Sequence, residues 1–270
     1  MDYRGIRVEA SPDTMRVTLD RPDRRNGLDA RTIAEIRHAL DEAERRPDCR
    51  IVVLAGRPGV FCTGMDLAEA VDAPEGDGGV ADFHALLRRI STTPRVVVAE
   101  VDGQAAGGGV GLAAACDLVL ATPRSTFSLP EALWGLLPCA VLPFLVRRTG
   151  FQPAYAMTLT TRPVPAAEAH RDRLVDEVCD DPAAALGRLE FRVTKVATEA
   201  IGEAKRYFGL LWPVTEEAGR VAAAEFARLM AAPAVRDRIA AFTLHQRMPW
   251  ETGAGGGTRP LADADGRRGT

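Results

Sequence analysis

Two glycine-bearing loops hold the residues whose types and spacing could do chemistry. One is Phe61-Cys-Thr-Gly-Met-Asp66; the other is Asp102-Gly-Gln-Ala-Ala-Gly-Gly-Gly-Val-Gly111. Glycine lets the backbone come close to a ligand and leaves N–H groups free to donate. The second loop runs into a small-residue segment that reads as a helix, and N–H groups at a helix start favour negative charge. Two such N–H groups aimed at one point form an oxyanion hole, which stabilises charge developing on a substrate oxygen. A glycine run before a helix is also, and more often, a packing device, so each loop alone is a weak signal. Other chemistries are harder to place. The run is neither G-x-x-x-x-G-K-[ST] nor a complete dinucleotide fingerprint. The chain has no H-E-x-x-H, no cysteine pair and no acidic cluster at metal-ligand spacing, so no metal is expected. It has no G-x-S-x-G nucleophile elbow.

The flanking segments must position these loops. Met15 to Leu19 alternates with period two and stops at Asp20-Arg-Pro22, a strand followed by a turn. Asp29 to Arg46 reads as a helix with Asp29 as N-cap and Ile33, Ile36, His38, Leu40 and Ala43 near helical spacing. Arg50 to Ala55 is read as a continuous apolar run, expected as a strand buried on both faces, and Val96 to Val101 is expected as another buried strand. A short helix is expected from about Ala81 to Ile90, after a polar loop over 72–82 that could act as a lid. Leu118 to Ala121 begins another strand. The repeated strand–turn–helix order argues for an α/β chain with a largely parallel sheet. Beyond about residue 190 the pattern is helical and Ala-rich, and 253–270 is a Gly-rich, charged stretch expected to be disordered.

Composition narrows the function classes. The chain has 270 residues, 46% apolar and 26% charged, with a formal net charge of −3. That suits a soluble globular protein with a sizeable core, and it gives no basic excess for nucleic acid. The most apolar stretch, Gly103 to Ala121, contains Asp117 and five glycines, and is too broken to span a bilayer. The five cysteines are dispersed and odd in number, and the N-terminus shows no apolar signal region. A reducing, cytoplasmic setting is expected.

Taken in order, four motifs resemble the crotonase (enoyl-CoA hydratase/isomerase) superfamily. They are Arg21-Pro-Asp-Arg-Arg-Asn26, Phe61 to Asp66, the Gly107–Gly111 run ending in Ala115-Cys-Asp117, and Phe127-Ser-Leu-Pro-Glu131. The resemblance covers roughly residues 5–250. It implies a spiral of ββα units forming two near-perpendicular sheets over 1–190, and a helical oligomerisation region over 191–252 that builds a trimer or hexamer. It implies an acyl-thioester substrate, on CoA or on the phosphopantetheine of an acyl carrier protein, and no other cofactor. By motif position, the N–H groups of Met65 and Gly108 form the oxyanion hole. Cys62, Gly64 and Asp66 on the first loop, and Gly111 on the second, are expected to contact the substrate. Arg24 and Arg25 sit where relatives meet the phosphates of the carrier, or are solvated surface charges.

The family's two water-holding glutamates correspond here to Glu131 and Gly111, so the pair is broken. Glu131 would then act as sole general acid and base, its pKa raised by burial. An acid at a helix start is also explained by the helix dipole alone. His84, 24 residues before Gly108, falls on a short helix that lines the acyl pocket in relatives. Histidine near there is catalytic in aroyl-CoA dehalogenases, although Cys139 replaces their nucleophilic carboxylate. Ser128 to Arg148, Tyr155 to Leu159, Gly111 and Met248-Pro-Trp-Glu251 resemble the dehydratases of polyketide β-branching cassettes. Such a lyase converts 3-hydroxy-3-methylglutaryl thioester on an acyl carrier protein to the 3-methylglutaconyl thioester. Alternatives are a hydratase or isomerase of another pathway, the β-branching decarboxylase, or a non-catalytic thioester-binding scaffold.

Overall fold

The structure is a computed structural model that describes residues 2–65, 79–245, 248 and 249. Strands β1 (Ile6–Ala10) and β2 (Thr14–Leu19) form an antiparallel hairpin. A 3-10 turn, Pro22–Arg24, leads into helix α1 (Ala30–Arg45). Asp29 caps α1 by accepting the Thr32 N–H at 2.7 Å, an interaction of about 1 kcal/mol. The buried face of α1 holds Thr32, Ile33, Glu35, Ile36, Ala39, Leu40 and Ala43. His38, expected on that face, is half-buried and bonds the Tyr3 hydroxyl at 2.9 Å instead. Helical periodicity brings Ala39 inward in its place.

Three strand pairs then repeat. They are β3 (Ile51–Ala55) with β4 (Gly59–Cys62), β5 (Val96–Val101) with β6 (Gly103–Ala106), and β7 (Leu118–Ala121) with β8 (Thr126–Ser128). The first strand of each pair joins a six-stranded sheet, in the order β1-β2-β3-β5-β7-β10, with β10 at Glu177–Val178. The second joins a four-stranded sheet, β4-β6-β8-β9, with β9 at Val164–Pro165. A helix follows each pair: α2 (Val80–Thr92), α3 (Gly108–Ala115) and α4 (Glu131–Trp134). This repetition is the expected ββα spiral. Within it β2, β3, β5, β7 and β10 run parallel, as do β4, β6 and β8.

All five residues of β3 are buried, as its unbroken apolar run requires. Each such Val, Ile or Leu contributes roughly 1.5–3 kcal/mol. All eight residues of α3 are buried too. Its Gly and Ala content lets it sit close to β4, β6 and their loops. Helix α2 begins at Val80, after Gly79 in the left-handed region, so the end of the expected 72–82 loop is helical. Residues 66–78, and the tail 253–270, lie outside the described residues.

The second half of the chain adds α5 (Leu142–Thr149), α6 (Phe151–Thr160), α7 (Ala166–Arg171), α8 (Pro182–Val193), α9 (Thr198–Leu211), α10 (Glu216–Met230) and α11 (Pro233–His245). The boundary expected after residue 190 falls inside α8, which packs on β7. Helices α9 and α10 both lie on α2. Lys205 anchors α9: its ammonium bonds Asp117 at 2.6 Å and the carbonyls of Arg95 at 3.0 Å and Ile90 at 3.2 Å. Asp117 also accepts the Val97 N–H at 2.7 Å. The motif acid therefore ties a core strand to the helical region.

Candidate active site

The two glycine loops meet at the ends of β4 and β6. Asn26, held in the left-handed region, donates to the carbonyls of Val60 at 2.9 Å and Phe61 at 3.2 Å. Leu28 donates to the Gly64 carbonyl at 2.8 Å and forms a parallel bridge with Met65. In that register the N–H of Leu28, not that of Met65, serves the bridge, so the Met65 N–H is left for another acceptor. Gly64 has φ +93°, and a Cβ there would lie 2.8 Å from the Gly108 nitrogen. The loops therefore touch backbone to backbone, which only glycine allows. Gly108 opens α3, so no preceding helical carbonyl bonds its N–H. Met65 and Gly108 thus each carry an N–H group outside the described backbone hydrogen bonds, at adjoining strand ends.

Glu131 is delivered from the third strand pair. The Gly107 N–H bonds the Ser128 carbonyl at 2.9 Å, fixing the end of β8 beside the glycine run. Pro130 then turns the chain and Glu131 begins α4. A Cβ on Gly107, whose φ is +52°, would lie 2.9 Å from Glu131 Oε1. The buried Oε2 accepts no hydrogen bond among the described residues. Burial pushes the carboxyl up to about 7, because no charge or donor from another described residue offsets the loss of water. A carboxyl poised there exchanges protons readily in both directions near neutral pH.

Met65, Gly107 and Glu131 line a cavity of about 90 Å³, and Gly108 stands directly behind Gly107 without lining it. Its wall includes Thr63, Gly64, Met65 and Gly107 on the loop side, and Val80, Phe83, Trp134, Leu136, Val141 and Phe226 around the rest. Among the described lining residues, hydroxyl, carboxyl and thiol groups come from Thr63, Glu131 and Cys139, and no Lys, Arg or His lines the cavity. A dry wall of this kind strengthens every dipole aimed into it.

The structure thus brings Glu131, Met65, Gly64 and the Gly107–Gly108 turn together. Arg25 reaches the rim through its carbonyl, which accepts the Thr63 hydroxyl at 3.0 Å, while its exposed guanidinium bonds Gln104. Arg24 is exposed on the same turn. Asp66 lies outside the described residues.

Three candidates land elsewhere. His84 is 2% exposed, and its ring packs against Phe144 at 5.4 Å and against Gly219 of α10. It does not line the cavity, because α10 closes over it, and burial lowers its pKa. Cys62 is buried in β4 and accepts the Gly64 N–H at 3.4 Å, so it shapes the loop from behind. Gly111 does not line the cavity either: a Cβ there would meet Val141 Cγ2 at 2.8 Å, Leu87 at 3.3 Å and Phe83 at 3.4 Å. The space of a second carboxylate is filled with hydrocarbon. The walls supplied by Phe83, Trp134, Val141 and Phe226 carry no chemical signature in sequence and were missed as site residues.

Comparison with known proteins identifies the family and agrees with the fold. The family described as enoyl-CoA hydratase/isomerase matches residues 9–205. The chain is 29% identical to the bacillaene synthase dehydratase PksH of Bacillus subtilis, over 92% of this chain and 97% of that protein. It is 34% identical to the enoyl-CoA hydratase EchA19 of Mycobacterium tuberculosis, over 68% of this chain and 74% of that protein. The crystal structure of pksH from Bacillus subtilis superposes with a TM-score of 0.87 at 28% identity, covering 92% of this chain and all of that one.

Proposed function

The chain belongs to the enoyl-CoA hydratase/isomerase family, and on that premise we propose that it is the dehydratase of a polyketide β-branching cassette. Its substrate is 3-hydroxy-3-methylglutaryl thioester on an acyl carrier protein, and its product is the 3-methylglutaconyl thioester. One observation carries the reading: among the described residues Glu131 is the one carboxyl lining the cavity, it has no partner, and Val141 packs on the position of the family's second. The similarity to a dehydratase over nearly the whole of both chains supports it.

The proposed steps use this chain's own groups. The N–H groups of Met65 and Gly108 receive the thioester oxygen, so removal of the α-proton places charge where dipoles already point. Ionised Glu131 takes that proton. The enolate pair then forms the C2–C3 double bond as the C3–O bond breaks, and Glu131 returns the proton to the departing hydroxyl, releasing water. One carboxyl suffices because both transfers lie on the same face of the substrate. Arg24 and Arg25, beside the rim, would meet the phosphate of the carrier. Exposed Tyr207, Phe208, Leu210, Leu211 and Trp212 on and just after α9 support burial in a homotrimer or hexamer. No helix among the described residues is long and apolar enough to cross a membrane. The reading places the enzyme with its carrier protein in the cytoplasm.

The absence of a cationic side chain from the described cavity wall favours a second reading, dehydration or hydration of an uncharged acyl-CoA thioester. Intact-protein mass spectrometry of 3-hydroxy-3-methylglutaryl carrier protein separates the two. Loss of one water with wild type, and not with Glu131→Gln, is the expected result. No loss there, with 3-hydroxybutyryl-CoA turned over, would transfer the assignment to the second reading. Loss of carbon dioxide would make the enzyme the decarboxylase.

A further inference from the structure

Cys139 lines the same cavity as Glu131, and the dehydration steps do not use it. It is half-buried and free, and it follows Pro138 in the segment that joins α4 to α5. The buried, unpartnered Glu131 Oε2 in that cavity is an independent sign that this space receives a reacting ligand. We propose that Cys139 is a capture site for unhindered α,β-unsaturated thioesters, its Sγ adding to C3 of an enoyl thioester seated in the cavity. The inference rests on the reading of Met65, Gly108 and Glu131 as the thioester site.

The step balances without an oxidant or reductant. A sulfur electron pair forms the S–C3 bond, and the C2=C3 pair moves to give an enolate whose oxygen faces the Met65 and Gly108 N–H groups. The thiol loses its proton to solvent before attack, and C2 takes one proton back from water, restoring the carbonyl. The result is a thioether linking the intact thioester to the protein.

Two features keep this reaction slow beside turnover. Burial raises the thiol to about 11, so about one molecule in ten thousand carries a thiolate at pH 7. A doubly substituted C3, as in 3-methylglutaconyl, blocks the approach of sulfur. The enzyme therefore survives its own branched product, whereas an enoyl thioester with a bare C3 accumulates on it.

The test incubates the full-length protein with acrylyl-CoA, crotonyl-CoA and 3-methylcrotonyl-CoA, followed by intact mass and peptide mapping. An adduct of one acrylyl-CoA on the peptide carrying Cys139 is expected, at least about tenfold slower with each added C3 methyl. Its rate should rise about tenfold per pH unit between pH 7 and 9, where turnover has levelled off. Cys139→Ser should lose it, and mapping in the wild-type protein decides the matter even if that variant folds poorly. An adduct on another cysteine, or none while 3-hydroxyacyl thioester is still dehydrated, overturns the capture site alone. No adduct and no turnover of any thioester overturns both readings.

Discussion

Glu35 and Glu131 are two buried glutamates with opposite surroundings. Glu35, 1% exposed on α1, accepts the N–H groups of Arg4 at 3.0 Å and Gly5 at 2.8 Å. It closes the chain before β1 onto the helix, and its charge is matched by oriented donors. Glu131 is set among apolar walls with one oxygen unbonded, and its acidity falls until it titrates near neutrality. Burial is common to both, so burial is not what makes a carboxyl reactive. What differs is whether the fold supplies donors to the charged form. At α1 it does, and the result is structure. At the cavity it does not, and the result is a group whose proton can move.

The largest expected effect follows from removing that movable proton. Glu131→Gln should lower kcat for dehydration by about a thousandfold or more, measured by loss of water from the carrier-bound substrate. A variant within tenfold of wild type would remove Glu131 from the mechanism.

The same substitution should stabilise the fold at neutral and alkaline pH. Because folding raises the carboxyl from about 4.5 to about 7, the folded state holds an extra proton between these values. Wild-type stability is therefore fully present below pH 4.5 and falls as pH rises through 7, by roughly 3 kcal/mol. Glu131→Gln lacks that fall, so the difference between the two proteins should grow with pH. Urea unfolding at pH 5 and pH 8 reads it, and parallel pH dependences would refute the assignment of the raised carboxyl.

Glu35→Gln should do the reverse, costing about 1–3 kcal/mol because one backbone N–H loses its acceptor. Activity per folded molecule should stay unchanged, and a lost activity at full folding would tie the α1 junction to the site.

The smallest effect concerns the missing carboxylate. Gly111→Ala should destabilise by about 1–2 kcal/mol through contact with Val141. In a double-mutant cycle, Val141→Ala should relieve it with a coupling of about 1 kcal/mol. Additive effects would mean the two positions are not packed as described.

Part of this arrangement is local, and local chemistry is legible in order along the chain. The apolar run over 51–55 must be a buried strand because none of its side chains is polar, and 96–101 follows it with Glu100 as its one polar side chain. Asp29 before an amphipathic pattern must cap a helix. Glycines at 64 and 107 answer to positive φ and to neighbours that leave no room for a Cβ. The ordered motifs around them identify the family, and with it the spiral and the roles expected for Met65, Gly108 and Glu131. The rest depends on residues far apart in the chain, whose meeting has no local cause. Helical spacing allowed His84 to face either way, and only α10 arriving through Gly219 decided that it is covered. Gly111 read as a gap in a catalytic pair, and packing turned it into a seat for Val141. The acidity of Glu131 is set by the tertiary structure alone, because desolvation is a property of the walls around a carboxyl and those walls come from five separate segments.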